Sequence, residues 1–492
     1  MEHETQSNAV REIEGRRELF VDNYLIDQLN DASFRLHHPQ PAEPAITFDK
    51  DEAAFGGYST VLKDDDAYRM YYRGAWGGGE GSPDYAEVTL YAESRDGLNW
   101  HKPDLGLHDI PNLSPNNAVI PNDPHLQTAH NFTPFLDTRP GIPASERYKA
   151  LAGSFVGIDT KDPRDGFNVF ASADGVRWQM LTEEFAINPS HFGVHTDHSS
   201  VPAFWSDSED CYVAYLRIRV DENLQPLTSH DGRSIRWIGR TTSDDFLNWS
   251  KVVPMNPGDV PLEQLYTNQT QPYFRAPHIY LAFPKRFKHS LVVLPQDEFD
   301  RYEVSAGQRQ GVSEGVFMTS RGGTTFDRTF MEAFLPPGLD RQNWVARNNM
   351  AACGIVPTAP EEISIYYLQH NSQPTSHLRR HTLRTDGFVS VKAPYRGGEL
   401  TTKPLIFKGK TLEINFATSV VGYIRVEVQD IGGQPIPGFK LADANEIVGD
   451  EIARDVSWKG AHGSDVSQLA GQPIRLRFVM KDADLYAIRF RP

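Results

Sequence analysis

The chain has 492 residues, 39% of them hydrophobic, which is enough for two or three domains with packed cores. Its 65 acidic and 49 basic residues give a net charge of −16, which argues against nucleic acid or an anionic membrane as a partner. No run approaches the roughly 18 apolar residues of a membrane span. The polar N-terminus predicts a cytoplasmic protein as the sequence stands, or an exported one if a leader has been removed.

A polar turn recurs along the chain. It reads SRDGLNW from Ser94, SADGVRW from Ser172, SDDFLNW from Ser243 and SRGGTTF from Ser320, with a weaker copy, RTDGFVS, from Arg384. One copy follows another after 64 to 78 residues. Self-similarity at a nearly constant period indicates a repeat architecture. This period is too long for helical solenoids but suits a four-stranded β-blade with long loops.

Strand-like runs precede each turn. β-branched and aromatic residues dominate them, as in YRMYYRG at 68–74 and YVAYLRIRV at 212–220. Asp-Gly before an apolar residue favours a tight turn because both residues tolerate positive φ. We therefore interpret the heptad as the turn between the third and fourth strands of a blade. Five copies predict a five-bladed β-propeller over residues 45–395.

The pattern changes after residue 395. Long alternating runs such as TLEINFATSVVGYIRVEVQD and LRFVMKDADLYAIRF predict a C-terminal β-sandwich over residues 396–492. Residues 1–44 are interpreted as an N-terminal arm. The predicted class is all-β, a five-bladed β-propeller followed by a β-sandwich.

The propeller geometry predicts where chemistry would take place. The starts of the first and third strands and the ends of the second strands meet at one mouth of the central channel, so side chains distant in sequence converge there. The catalytic candidates at this mouth are the carboxylates Asp197, Glu314 and Glu52. The substrate-binding candidates are Arg73, Glu87, His130, Asn131, His198, Arg217, Gln271, Lys285, Arg286, Arg347 and Asn348.

Paired carboxylates among cations suit the cleavage of a glycosidic bond. One carboxyl group protonates the leaving oxygen and the other acts as nucleophile or base, and unequal surroundings split their pKa values into those roles. The cations could hold a carboxylate or sulfate on a sugar. Each of these residues also has a structural interpretation, as an ion-pair partner or a hydrogen-bonded histidine.

No cofactor or metal is expected. His195, Asp197 and His198 cluster in HTDH, but the stretch lacks the spacing of a helical two-histidine zinc site. The two cysteines, Cys211 and Cys353, form no metal or redox spacing and are interpreted as free thiols.

Long segments of the chain resemble a known group. HNFTPFLDTRPGIPASERYKALAGS, LYTNQTQPYFRAPHIYLAFPKRF, QPTSHLRRHTLRTDGFVSV and LRFVMKDADLYAIRF are similar to uncharacterised bacterial proteins labelled as similar to glycoside hydrolase family 32. The resemblance runs from about residue 18 to the end. It implies the layout of families 32, 43 and 68, a five-bladed catalytic propeller with three acidic residues on the inner strands of the first three blades. In family 32 a β-sandwich follows.

The chain departs from the family 32 motifs. Their Asn-Asp-Pro-Asn-Gly, Arg-Asp-Pro and Glu-Cys stretches are absent, and only Asp197 stands where an acid is expected. The resemblance therefore does not carry over fructose specificity.

The leading hypothesis is a glycoside hydrolase that cleaves an oligosaccharide, neutral or anionic, in the central pocket. Two alternatives stay open. One is a non-catalytic glycan-binding propeller, in which each carboxylate is held in an Arg pair. The other is a polysaccharide lyase that uses His130 or His198 as the base beside a uronate carboxylate.

Overall fold

The chain forms two compact units, Pro39–Thr382 and a second unit that joins Met1–His38 to Leu383–Pro492. The structure is a computed structural model. It describes residues 9–48, 57–76, 86–110, 113–121, 130–153, 166–188, 194–196, 199–228, 234–460 and 462–492.

The larger unit is a five-bladed β-propeller, which confirms the prediction from the repeat. Each of blades 1 to 3 is a four-stranded antiparallel sheet in which consecutive strands are neighbours. The strands of blade 1 are Thr60–Asp64, Ala67–Trp76, Ala86–Ser94 and Ala118–Ile120. Those of blade 2 are His130–Leu136, Tyr148–Gly153, Phe167–Ser172 and Gln179–Met180. Those of blade 3 are Ala203–Ser206, Cys211–Val220, Ile235–Ser243 and Val253–Pro254.

Blade 4 is less regular than the first three. Its described strands are Gln271–Tyr273, Ala276–Ala282 and Met318–Ser320. Asp327 exchanges backbone hydrogen bonds with Thr319 beside the third strand. A separate hairpin, Lys285–Lys288 with Val312–Gly315, is inserted between the second and third strands.

Blade 5 is completed by the beginning of the chain. Its strands are Met350–Ala351, Glu362–Gln369 and His377–Arg384, and Val356–Ala359 also pairs with the second of them. The outer strand is Gln40–Thr47, which pairs antiparallel with His377–Arg384. The interpretation of residues 1–44 as an arm differs from this arrangement, because the predicted boundary at residue 44 falls inside a strand of the propeller.

The repeated heptad forms the same hydrogen-bonded turn in the first three blades. In blade 1 the Oγ of Ser94 accepts the N–H of Gly97 at 3.0 Å, and the Oδ1 of Asp96 accepts the N–H of Asn99 at 2.8 Å. The indole of Trp100 donates to the carbonyl of Gly97 at 3.2 Å. The three equivalent bonds recur in blade 2 and in blade 3, at Ser172, Asp174 and Trp178 and at Ser243, Asp245 and Trp249.

These turns join the third strand to the fourth in blades 1 to 3, as predicted. The fifth copy differs. Residues 384–390 lead from the third strand of blade 5 into the strand Val389–Ala393 of the other unit, because the fourth strand of this blade has already been supplied by Gln40–Thr47.

Aromatic side chains fill the space between blades. Trp178 of the second turn lies edge-on to Phe132 and Tyr71, with ring centroids 4.9 and 6.1 Å apart. Central strands such as Tyr148–Gly153 are buried along their whole length, since a neighbouring blade covers each face.

The second unit combines strands from the N-terminal and C-terminal parts of the chain, and they surround its own apolar core. The long strand Arg475–Arg491 lies at its centre and pairs with Thr411–Gln429 over most of its length. The other strands are Arg11–Glu14, Arg17–Leu19, Ile26–Asn30, Ser33–Leu36, Val389–Ala393, Gly398–Thr402, Leu405–Phe407 and Asp450–Asp455. The predicted sandwich boundaries at 396–492 therefore leave out the N-terminal strands and Val389–Ala393.

Helices are few in the described part of the chain. There is one short α-helix, Gln296–Arg301, and four 3-10 turns, Ala144–Glu146, Ala306–Gln308, Arg341–Asn343 and Ser467–Leu469. Among the residues that the structure describes, no helix has the length and apolar character needed to cross a membrane.

Candidate active site

A small pocket lies where several blades meet. Its walls come from the segment before blade 1, from blade 1, from the hairpin inserted in blade 4 and from blade 5. The lining residues are Gly57, Tyr58, Arg73, Lys285, Arg347, Met350, Leu368 and Asn371. Blades 1 and 4 are not neighbours in a five-membered ring, so their side chains can share a pocket only near its axis.

Two tyrosines form the centre of this pocket cluster. Tyr58 and Tyr266 are hydrogen-bonded through their side chains. The guanidinium of Arg73 lies 4.6 Å from the ring centroid of Tyr58. On the other side, the guanidinium of Arg217 and the ammonium of Lys285 lie 4.4 and 4.2 Å from the ring centroid of Tyr266. Cations from blades 1, 3 and 4 therefore surround one pair of phenols.

The cations change the ionisation of Tyr266. Burial opposes its ionisation, but the positive charges of Arg347, Arg217 and Lys285 outweigh burial, and together with the hydrogen bond from Tyr58 they lower the pKa of Tyr266 to about 6. At Tyr58 burial prevails over the neighbouring cations and raises the pKa above the ordinary value. The surrounding cations therefore favour the ionised form of Tyr266, whereas burial favours the neutral phenol at Tyr58.

Lys285 is the most deeply placed cation of the cluster. Its side chain is 1% exposed, and its Nζ has no hydrogen-bond partner among the residues that the structure describes. Burial, together with the positive charges of Arg347 and Arg217, lowers the pKa of Lys285 to about 7. The attraction of Tyr266 opposes this shift. An ammonium in such a place is costly unless an acceptor reaches it.

A second group of predicted residues adjoins the tyrosines through Arg73. The Nη1 of Arg73 donates to the Oδ1 of Asn131 at 2.9 Å and lies 3.4 Å from Glu87. The other oxygen of Glu87 is 2.6 Å from the Nδ1 of His130. The side chains Arg73, Glu87, His130 and Asn131 therefore form one contact network across blades 1 and 2, largely buried from solvent.

Glu314 lies on the other face of the blade 4 hairpin. Its Oε1 accepts two hydrogen bonds from Arg286, at 2.8 and 2.5 Å, and Arg286 also binds Glu263 at 2.7 Å. Glu263 in turn pairs with Arg328. Consecutive side chains of a strand point to opposite faces, so Lys285 enters the pocket cluster while Arg286 turns away from it.

The remaining candidates differ in what they contact. Gln271 accepts the N–H of Ile355 at 3.1 Å, and Asn348 accepts the N–H of Asn371 at 2.7 Å, so both side-chain amides hold the backbone of blade 5. Arg347 lines the pocket. Glu52, Asp197 and His198 lie outside the described residues, and their proposed roles stay predictions.

Sequence reasoning missed the two tyrosines. Tyr266 stands in LYTNQTQPYF, one of the segments that carries the resemblance, and Tyr58 follows two glycines just before blade 1. A tyrosine beside a strand is ordinarily a packing residue. The signal that distinguishes these two is the cations around them, which come from distant parts of the chain.

A larger cavity, of about 360 Å³, lies in the other unit. Its arginines are already neutralised. Arg475 lies 2.5 Å from Asp27, and Arg477 lies 2.8 Å from Glu399. The smaller pocket is the better candidate because the Nζ of Lys285, which lines it, has no hydrogen-bond partner among the described residues.

Within the described residues, no three His, Cys, Asp or Glu side chains are grouped so as to hold a metal ion. His195 is the one described member of the cluster weighed as a zinc site.

No family model matches the chain. Two curated relatives, both uncharacterized proteins of Mycobacterium tuberculosis, MT1551 of strain CDC 1551 / Oshkosh and Rv1502 of strain ATCC 25618 / H37Rv, are each 38% identical over 61 residues. The match covers 12% of this chain and about one-fifth (20%) of the length of each relative.

The solved structures that resemble this chain are named mostly as glycoside hydrolases. One with that name has 12% identity and a TM-score of 0.48 over 70% of this chain and 92% of its own. A family 43 arabinoxylan arabinofuranohydrolase from Bacillus subtilis has 11% identity and a TM-score of 0.40, covering 89% and 96%. The Bombyx mori family 32 β-fructofuranosidase BmSUC1 has 9% identity and a TM-score of 0.41, covering 93% and 94%. At such identities and TM-scores, the chemistry of the pocket has to be argued from its own residues.

Proposed function

We propose that the protein is a glycoside hydrolase that cleaves a glycosidic bond of an oligosaccharide in the central propeller pocket. The observation that carries the proposal is the convergence of polar side chains from four blades. Arg73, Arg217 and Lys285 reach the same pair of tyrosines, and Arg73 links that pair to the Glu87 network. Together with the sequence resemblance described above, this supports a carbohydrate substrate.

Hydrolysis requires two carboxyl groups on either side of the scissile bond. The proposed pair is Asp197 with Glu314, which would have to leave Arg286 and turn towards the pocket in order to act, and Glu52 is a third carboxylate. Glu87 and His130 orient the substrate and bind its hydroxyl groups. Asn131, His198, Arg217, Gln271, Arg286, Arg347 and Asn348 complete the proposed binding set.

The function is tested by a screen of aryl glycosides and oligosaccharides, followed by carboxylate variants with the best substrate. Asp197→Asn and Glu314→Gln are expected to lower kcat by about 10²- to 10⁴-fold, the range found for lost general acid–base catalysis. Glu332→Gln, at an exposed carboxylate near the same hairpin, is the control. Full turnover by both catalytic variants would contradict the assignment.

Two outcomes would favour the alternatives. Tight glycan binding without turnover by the unmodified protein would indicate a binding propeller, and the ion pair of Glu314 with Arg286 is compatible with that. A product with a conjugated double bond would indicate a lyase. The 2.6 Å contact between Glu87 and His130 favours that second candidate, since a carboxylate that orients a histidine prepares it to act as a base. Loss of such a product in His130→Ala would support it.

A further inference from the structure

The ammonium of Lys285 is buried without an acceptor. Polar groups that are nine-tenths or more buried are almost always hydrogen-bonded, and charged ones especially so. Lys285 is 1% exposed, and its Nζ has no partner in the part of the chain that the structure describes. The side chain also lines a pocket. An acceptor atom on a bound ligand would complete the hydrogen bonding of this ammonium group.

Most of the charged groups that act on Lys285 in the described part of the chain are cations. Tyr266 favours its protonated form, whereas Arg347, Arg217 and Arg236 oppose it. The described carboxylates nearby are engaged elsewhere. Glu87 is held by Arg73 and His130, while Glu314 and Glu263 are held by Arg286 on the opposite face of the hairpin.

The free space limits what can bind there. It amounts to about 10 Å³, which is roughly the room needed for one water molecule. A sugar ring does not fit in this space and would lie outside it, but one oxygen atom at the end of a substituent can enter. A carboxylate on C5 of a pyranose projects beyond the ring in this way, and its negative charge suits the cations Lys285, Arg217 and Arg347.

We propose that this pocket binds the carboxylate of a uronic acid residue, with Lys285, Arg217 and Arg347 as its cationic partners. The inference rests on the proposed glycan substrate and narrows it to acidic glycans. Lys285 would supply a point charge and the arginines their N–H donors.

Binding of this anion is coupled to the protonation of Tyr266. Among the described residues, the ionisable groups that face Tyr266 are Tyr58, Arg217, Arg236, Lys285 and Arg347. Four of these are cations that favour the phenolate. A carboxylate among them repels the phenolate and competes for the cations, so Tyr266 takes up a proton as the uronate binds.

The experiment is isothermal titration of the full-length protein with methyl glucuronide and methyl galacturonide, and with the corresponding neutral glucoside and galactoside. Inorganic phosphate and sulfate are titrated separately. We expect a uronide to bind more tightly than its neutral counterpart, and Lys285→Met to weaken that binding about 10- to 100-fold. Lys288→Met, at an exposed lysine of the same strand, should bind normally. In buffers of different ionisation enthalpy, the heat should reveal proton uptake by Tyr266 and Lys285 that is reduced in Tyr266→Phe.

The results separate this inference from the proposed function. Uronide binding that survives Lys285→Met, or phosphate binding without uronide binding, overturns the carboxylate site. Cleavage of neutral glycosides alone leaves the hydrolase and removes the uronate site. Uronide binding that depends on Lys285 but is never followed by cleavage supports the site and contradicts the hydrolase.

Discussion

A single backbone position in the repeated heptad shows what the turn requires. The fourth residue has a positive φ in four copies, 72° at Gly97, 73° at Gly175, 70° at Phe246 and 63° at Gly323. Glycine adopts this conformation freely, whereas other residues are strained there. At Phe246 the strain is offset by burial, since its ring lies 5.1 Å from that of Tyr212 and 5.6 Å from that of Phe135.

Gly175→Ala is expected to destabilise the propeller through both strain and collision. The added methyl group would lie 2.8 Å from the hydroxyl of Tyr71, which donates to the carbonyl of Gly175 at 2.8 Å. Gly141→Ala is a matched control, because Gly141 also has a positive φ, of 77°, but has no atom within 4 Å of the added carbon. We expect a loss of about 1 kcal/mol for Gly141→Ala and about 2–3 kcal/mol for Gly175→Ala in urea unfolding. Equal losses would show that the Tyr71 contact is unimportant.

The turn aspartates predict an acid-dependent loss of stability. Burial opposes the ionisation of Asp174 and Asp245, but hydrogen bonds from the amides of Arg177 and Asn248 outweigh it and lower each pKa to about 2. Since the folded pKa lies below the ordinary value of about 3.9, the stabilisation is complete above pH 4 and is lost as the pH falls towards 2.

Asp174→Asn removes the charge and keeps one acceptor oxygen. At pH 7 we expect it to lower the free energy of unfolding by about 0.5–1 kcal/mol, a small value because this carboxylate is partly exposed. The difference from the unmodified protein should shrink between pH 4 and pH 2. Asp259→Asn, at an exposed carboxylate, is the control. A difference that persists unchanged at pH 2 would contradict the linkage.

At the scale of elements, strand alternation separates two neighbouring cations that the sequence analysis had placed together. Lys285 and Arg286 both begin the hairpin Lys285–Lys288, yet only Lys285 reaches the tyrosine pair. Arg286 opposes Glu314 in the register of the hairpin and binds it. A shift of one residue moves every side chain of a strand to the opposite face. The sequence therefore cannot show which of the two cations faces the pocket unless the first residue of the strand is known.

The two hairpin cations should therefore have opposite effects on stability. Arg286→Met leaves Glu314 and Glu263 without their shared guanidinium, and we expect it to cost about 1–3 kcal/mol. Lys285→Met removes an unpaired buried charge and lets Tyr266 protonate, so we expect no loss, or a gain of about 1 kcal/mol. Urea unfolding at pH 7 measures both. A large loss in Lys285→Met would mean that its ammonium has a partner.

The blade repeat could be predicted from the sequence because each blade depends on local signals. A polar turn recurs along the chain, with both Asp and Trp in blades 1 to 3, together with strands rich in aromatic residues. The pocket could be predicted only in part. Arg73, Glu87, Arg217 and Lys285 were identified from their positions at strand ends, whereas Tyr58 and Tyr266 were not. Their chemistry depends on charges from other blades, and a single segment does not contain that information.

At the scale of the whole molecule, the propeller ring is closed by two segments from opposite ends of its unit. Gln40–Thr47 pairs with His377–Arg384, and Ile46 faces Leu378 in the register. Ile46 and Phe48 then pack in one apolar cluster with Val61 of blade 1 and with Tyr366 of blade 5. The sequence analysis missed this closure because Gln40–Thr47 contains no heptad and lies far in sequence from the strand that it joins.

This closure predicts that one core residue near the N-terminus influences the entire ring. Ile46→Ala should cost about 2–4 kcal/mol by leaving a cavity between blades 5 and 1, while Glu43→Ala, exposed on the same strand, should cost little. Hydrogen exchange distinguishes local from global loosening. If the ring opens as a unit, slow amides of Cys211–Val220 in blade 3 should exchange faster by the same free energy as those of Glu362–Gln369 in blade 5. Acceleration confined to Gln40–Thr47 would show instead that the outer strand detaches while the other strands stay closed.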